Sequence, residues 1–197
     1  MESKKCLIMI KKILFVLEDI LWVIRCEYNL WLHGPYGLSK VIEKIPYRFL
    51  IKNLRRYGAT IGNYCRFERG INLHRPLGKK PFENLIIGNN VYLGHNTLLD
   101  LSRKIIIEDN VIIASRCQIW THTSIYESLD GGNNFDYKEK FGDVIIKRNS
   151  VIYSGVIIKH GITIGEGSKV GAGSVVIRDI VPFTFFAGNP AREIREI

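Results

Sequence analysis

No two of the four cysteines, Cys6, Cys26, Cys65 and Cys117, stand close enough for a CxxC pair or a metal-finger spacing. That excludes the common thiolate metal sites and dithiol redox motifs. The cysteines are expected as reduced, mostly buried thiols of a cytosolic protein. Long apolar runs are missing too. Near the N-terminus, Lys11-Lys12 and Glu18-Asp19 break the apolar stretch into residues 13–17 and 20–24, and no small-residue cleavage site follows. Neither a membrane-spanning helix nor a cleavable signal peptide is expected. Acidic residues are in deficit, 19 against 28 Lys and Arg, for a net charge of +9. Such a balance suits an anionic partner: a phosphorylated cofactor, a membrane surface or nucleic acid. The basic residues are spread along the chain without a recognition helix or an aromatic-basic motif, so nucleic acid is not expected. With 46% hydrophobic and 24% charged residues the chain has the makings of one folded domain.

What is present is a repeat. Ile146, Ile152, Ile158, Ile164, Val170 and Val176 recur every six residues without a break. Ile87, Leu93 and Leu99, then Ile107, Ile113 and Ile119, form an earlier set, with an eight-residue step between them that reads as a small insertion at one corner. Ile61-Gly62-Asn63 looks like a still earlier coil, and residues 71–82 read as a loop leaving it. Period six is neither helical nor simple strand periodicity. It fits short strands, each sending one aliphatic side chain into a narrow prism, with Gly, Asn and Asp supplying the corners. The spacing predicts a mainly β fold: a parallel β-helix over residues 59–181, after an N-terminal helical segment over 1–58 and before a tail over 182–197. Residues 120–143 lack the repeat and form an excursion, the kind of loop on a rigid scaffold where function concentrates. Residues 6–32 read as a helix with Leu7, Ile10, Leu14, Leu17, Leu21, Ile24 and Tyr28 on one face. That face suits either peripheral contact with an anionic membrane or packing on protein.

The closing run contains Ile162-Thr163-Ile164-Gly165, Gly171-Ala172-Gly173-Ser174-Val175-Val176, Arg178-Asp179-Ile180 and Ala187-Gly188-Asn189-Pro190-Ala191-Arg192. Over residues 55–197 the chain thereby resembles the hexapeptide-repeat acyltransferases, in the branch of maltose, galactoside and polysaccharide O-acetyltransferases. The resemblance implies a left-handed coil, a homotrimer and acetyl-CoA held between subunits. It places Ser154, Gly171 and Ala172 along the pantetheine arm, and Arg178, Arg192 and Arg195 near the nucleotide phosphates, where forked guanidinium donors fit.

The family's chemistry implies a histidine base that takes a proton from an acceptor hydroxyl. His122 is the candidate, with Asp100 or Glu127 to orient it. Aligned without gaps, the family's base falls on Ser124, two residues later, and its acceptor-site asparagine falls on Gly94. His95 and Asn96 follow Gly94 and are the candidate acceptor-binding residues, with Glu127. His33 and His74, outside the repeat, read as structural or exposed, and His160 as a turn residue. The implied activity is O-acetylation of a carbohydrate, such as a surface-polysaccharide precursor, by a cytoplasmic enzyme that could also sit at the inner face of the membrane. N-acetylation of an amino sugar and a non-catalytic β-helix scaffold are the alternatives. A zinc enzyme using His95 and His122 is disfavoured for lack of a close histidine pair, and no metal is expected.

Overall fold

The helical period of the N-terminal segment runs unbroken until Gly34-Pro35, which allows one long helix with a kink. The computed structural model describes residues 2–128 and 135–197, with side chains described for 6–124 and 138–197. In it α1 spans Glu2–Ile42 and kinks where Gly34 leaves helical geometry (φ 64°, ψ −162°) ahead of Pro35. The helix is thus longer than the spacing over residues 6–32 predicts. A second helix, α2 (Tyr47–Arg56), starts after Pro46 and buries Phe49, Leu50, Asn53 and Leu54. Its other face is basic.

From Thr60 onward the chain winds into a left-handed parallel β-helix with three faces. The first carries Thr60–Ile61, Leu85–Ile87, Ile105–Ile107, Val144–Ile146 and Thr163–Ile164 in parallel register. The second carries Arg66–Phe67, Tyr92–Leu93, Ile112–Ile113, Val151–Ile152 and Lys169–Val170, then Thr184–Ala187 and the antiparallel Arg192–Glu196. The third carries Asn72–His74, Leu98–Asp100, Gln118–Ile119, Ile157–Ile158 and Val175–Val176. Residues 72–74 are therefore strand, paired with 98–100, and the departing loop begins only at Arg75.

The predicted inward column is buried from Ile61 to Val176, with no member more than 7% exposed. A second six-residue column is buried beside it, including Leu85, Val91, Thr97, Val111, Cys117, Ser150 and Ser168. Its small polar members remain satisfied: the Thr97, Ser150 and Ser168 hydroxyls donate to the carbonyls of Gly94, Gly165 and Val181. Corners are made by left-handed residues, again six apart: Asn90 and Asn96, Asn110 and Arg116, then Asn149, Gly155, Gly161, Gly167 and Gly173. Asn tolerates this region better than other L side chains, and Gly enters it freely.

The two ends of the prism are finished differently. At the lower end α2 closes the first coil, Arg55 donating to the carbonyls of Ile61 and Gly62. At the upper end Arg192–Glu196 folds back on Thr184–Ala187. All four cysteines are free thiols, and burial pushes the Cys26 thiol up to about 11.

Candidate active site

Three times the repeat is interrupted, and each time at the same corner, between the third face and the first. The insertions are residues 75–84, 101–104 and 120–143. Stacking of successive coils then brings the residues that open each insertion into one column. His74 pairs across the strands with Asp100, and Leu99 with Ile119, so that residues 120–122 lie over Asp100. The largest insertion forms an antiparallel hairpin, His122–Ser128 with Phe135–Phe141.

Asp100 has no solvent exposure. Its Oδ1 accepts from the Ser102 hydroxyl at 2.8 Å and from the Ser102 amide at 3.3 Å. Its Oδ2 accepts from the amides of Thr121 and His122 at 2.8 and 3.0 Å, and lies 2.9 Å from the Thr121 hydroxyl. The same oxygen is 2.6 Å from His122 Nδ1. Burial pushes this carboxyl up, but hydrogen bonds from His122, Thr121 and Ser102 outweigh it and hold the group below the usual carboxylate value. An ionised Asp100 fixes the proton of His122 on Nδ1 and leaves Nε2 as the ring's acceptor.

The His122 side chain is 11% exposed and is boxed by rings. His74 stacks on it at 5.7 Å and 13°, Trp120 meets it edge-on at 6.1 Å, and Phe141 leans on it at 6.2 Å. Trp120 is steadied by a hydrogen bond from Nε1 to Gln118. Burial holds the His74 ring below its ordinary pKa, against the pull of Asp100 and with His122, Arg75 and Lys40 adding to the effect. Around this box stand cations: Arg103 lies 5.0 Å over the Phe141 ring, and Arg75 grips Glu139 of the hairpin with both guanidinium nitrogens.

A groove of about 410 Å³ runs from this corner along the outside of the third face. It is lined by Trp120, His122, Thr123, Ser124, Ile157, Lys159, Val175 and Ile177. Ser124, the ungapped position of the family's base, thus lines the same groove as His122. A lined slot with one imidazole acceptor at its end can accept a thioester and deprotonate a nucleophile beside it.

Among the described residues, His74, Asp100 and His122 also place one ligand atom each within 4.8 Å of one another. Both oxygens of Asp100 are already saturated by donors, one of them His122 Nδ1, so the donor chemistry is that of an oriented imidazole rather than a cation cage.

The remaining sequence candidates fall elsewhere. His95 and Asn96 sit at the corner between the second and third faces, away from the His122 box, with His95 Nε2 3.5 Å from Glu68. Glu127 belongs to the hairpin, and its side chain lies outside the described residues. Ser154 and Ala172 share the corner of His95 two and three coils higher, and the Gly173 amide donates to the Ser154 carbonyl. Gly171 has a packing reason for lacking a side chain: a Cβ there would stand 2.9 Å from that of Ala187. Arg178, Arg192 and Arg195 are exposed near the upper end. His74, expected as structural or exposed outside the repeat, lies on a strand of the third face and stacks on His122, and Trp120 was not among the candidate site residues. The available signal was that all three breaks in the repeat have the same phase, after Leu73, Leu99 and Ile119.

Comparison with known proteins agrees with this architecture. Residues 143–178 match the family described as bacterial transferase hexapeptide (six repeats). An acetyltransferase of Saccharomyces cerevisiae, itself assigned by inference, is 40% identical over 116 residues, covering 58% of this chain. The chain spans only 57% of that yeast protein's length. The crystal structure of a maltose O-acetyltransferase from Clostridium difficile superposes with a TM-score of 0.67 at 30% identity, covering 90% of this chain and 88% of the other. A galactoside acetyltransferase solved with coenzyme A gives a TM-score of 0.69 at 26% identity, covering 83% and 80%. With a relative of that identity matched over most of both chains, and the repeat profile matched within it, the chain belongs to the hexapeptide-repeat transferase family.

Proposed function

We propose that the protein transfers the acetyl group of acetyl-CoA to a hydroxyl of a carbohydrate acceptor, a surface-polysaccharide precursor, with His122 as general base. The observation that carries this reading is the pair formed by buried Asp100 and His122, with His122 in the lining of the groove. In the reaction His122 Nε2 takes the hydroxyl proton as the acceptor oxygen attacks the thioester carbonyl. The tetrahedral oxyanion collapses, the C–S bond breaks, and the imidazolium returns its proton to the leaving thiolate. Asp100 keeps the ring in the working tautomer and stabilises the imidazolium, and it carries no proton itself.

The apolar lining from Trp120, Ile157, Val175 and Ile177 suits a pantetheine arm. Ser154, Gly171 and Ala172 are assigned to that arm, and Arg178, Arg192 and Arg195 to the phosphates, as in the homotrimeric arrangement the family resemblance implies. A merely structural role for the site is disfavoured by its cost: a buried carboxylate bonded to an imidazole stabilises a fold poorly compared with apolar packing. The test is release of free thiol from acetyl-CoA by purified protein across a panel of hydroxyl sugars, amino sugars and lipid-linked glycans. Thiol release with an ester product on a hydroxyl sugar supports the reading. An amide product confined to amino sugars would replace it.

A further inference from the structure

We propose that α1 docks the protein onto an anionic lipid surface, lying in the plane of the headgroups; the proposal does not depend on the acetyltransferase reading. One side of α1 is already packed. Phe15 meets Phe49 of α2 at 4.7 Å with the rings tilted by 39°, Glu18 and Asp19 pair with Arg48 and Lys52, Cys26 is fully buried, and Glu27 accepts from the Tyr57 hydroxyl.

Among the described residues, the opposite side is left exposed. Leu7, Ile10, Leu14, Leu17, Leu21 and Ile24 are each 45–59% exposed. At about 100° per residue these and their apolar neighbours at 13, 16 and 20 cover an arc of roughly 180°, with no charge inside it from residue 6 to 24. Apolar surface of that extent marks an interaction site. Lys11 and Lys12 are exposed and fall on the two opposite edges of the arc, where their stems can lie along the apolar surface and their ammonium groups reach outward. Toward the far end of the same face Tyr28 is 57% exposed and Trp31 81%, the residue types that settle at a membrane interface.

Charge selects lipid over a second copy of the chain. Residues 1–58 hold eleven Lys and Arg against five Asp and Glu. The acidic side chains Glu18 and Asp19 are consumed by α2, which leaves the borders of the exposed face basic. Two copies packed by this face would bring like charges together, whereas a coiled-coil seam needs flanking charges of both signs. An anionic bilayer supplies the opposite sign. No described helix is long and apolar enough to cross a membrane. The stretch from Leu7 to Leu32, roughly 39 Å at 1.5 Å per residue, has the form of a helix lying along one.

The experiment is flotation of the full chain with phosphatidylcholine vesicles, with and without phosphatidylglycerol, at about 0.1 M and about 1 M salt, where charge screening differs threefold in range. The protein should float with the anionic vesicles and bind about tenfold more weakly to phosphatidylcholine alone or at high salt. Leu14→Glu/Leu21→Glu should abolish flotation while keeping the circular dichroism and melting temperature of the parent. Lys11→Gln/Lys12→Gln, at two exposed positions, should weaken anionic binding about tenfold. Absence of flotation by the parent protein overturns the proposal, as does flotation unchanged by both variants. A lower sedimentation mass for Leu14→Glu/Leu21→Glu, with no vesicle binding by either protein, assigns the face to a second copy and also overturns it.

Discussion

At Asp100 a carboxylate without solvent exposure is surrounded by donors from Ser102, Thr121 and His122. Its folded pKa lies below the ordinary value, so its stabilisation is present above the usual carboxylate range and is lost as pH falls through the depressed value. Asp100→Ala removes the acceptor of several buried donors and should destabilise the fold by about 3 kcal/mol in urea titration. The folded fraction of that variant should still bind CoA. His74 acts at higher pH. Its ring is also depressed, so it favours the folded state above about pH 6.5 and disfavours it as pH drops, because the unfolded chain takes up the proton more readily. His160, lowered by burial with Lys159 and Lys140 beside it, has the same sign. The melting temperature should therefore fall between pH 7.5 and pH 5.5, roughly one unit either side of the ordinary histidine value. His74→Phe should flatten but not abolish that slope. A slope unchanged in the variant would separate His74 from the pH response.

The corner turns are where a single side chain decides an element. Asn90, Asn110 and Asn149 form a ladder, with Asn90 donating to Asn110 at 2.9 Å and Asn110 to Asn149 at 3.1 Å. All three are left-handed. Asn110→Ala loses both the ladder and the tolerance for positive φ, at a cost of about 2 kcal/mol, while Asn110→Gly keeps the backbone and should lose about 1 kcal/mol. Equal losses in urea titration would show that only the ladder matters. Legibility is greatest at this scale. The inward Ile and Val column could be read directly, because one side chain per six residues is the price of a three-sided prism. The second buried column could not, since Thr97, Cys117, Ser150 and Ser168 look polar or incidental until their partners in the neighbouring turns and coils are known. Residues 72–74 read as loop because a two- or three-residue strand has no pattern of its own and is recognised only by its pairing with 98–100.

For the whole molecule, the phase of the interruptions matters more than their sequence. Three insertions at one corner build a polar cluster on a scaffold whose other corners are tight, and that cluster assembles His74, Asp100, Trp120 and His122. Asp100 and His122 stood out as chemistry-bearing residues, but their contact depends on coil stacking across residues far apart in the chain. His95 and Asn96 stood out equally and went to another corner. The trimer implied by the family resemblance should appear in sedimentation equilibrium as three chain masses. The central claim is most directly tested by comparing acetyl transfer by the parent protein and His122→Ala, with CoA affinity measured in parallel. The account predicts a loss of at least about a hundredfold in transfer, the scale of a missing general base, with CoA binding unchanged. Transfer at the parental rate in His122→Ala would contradict it.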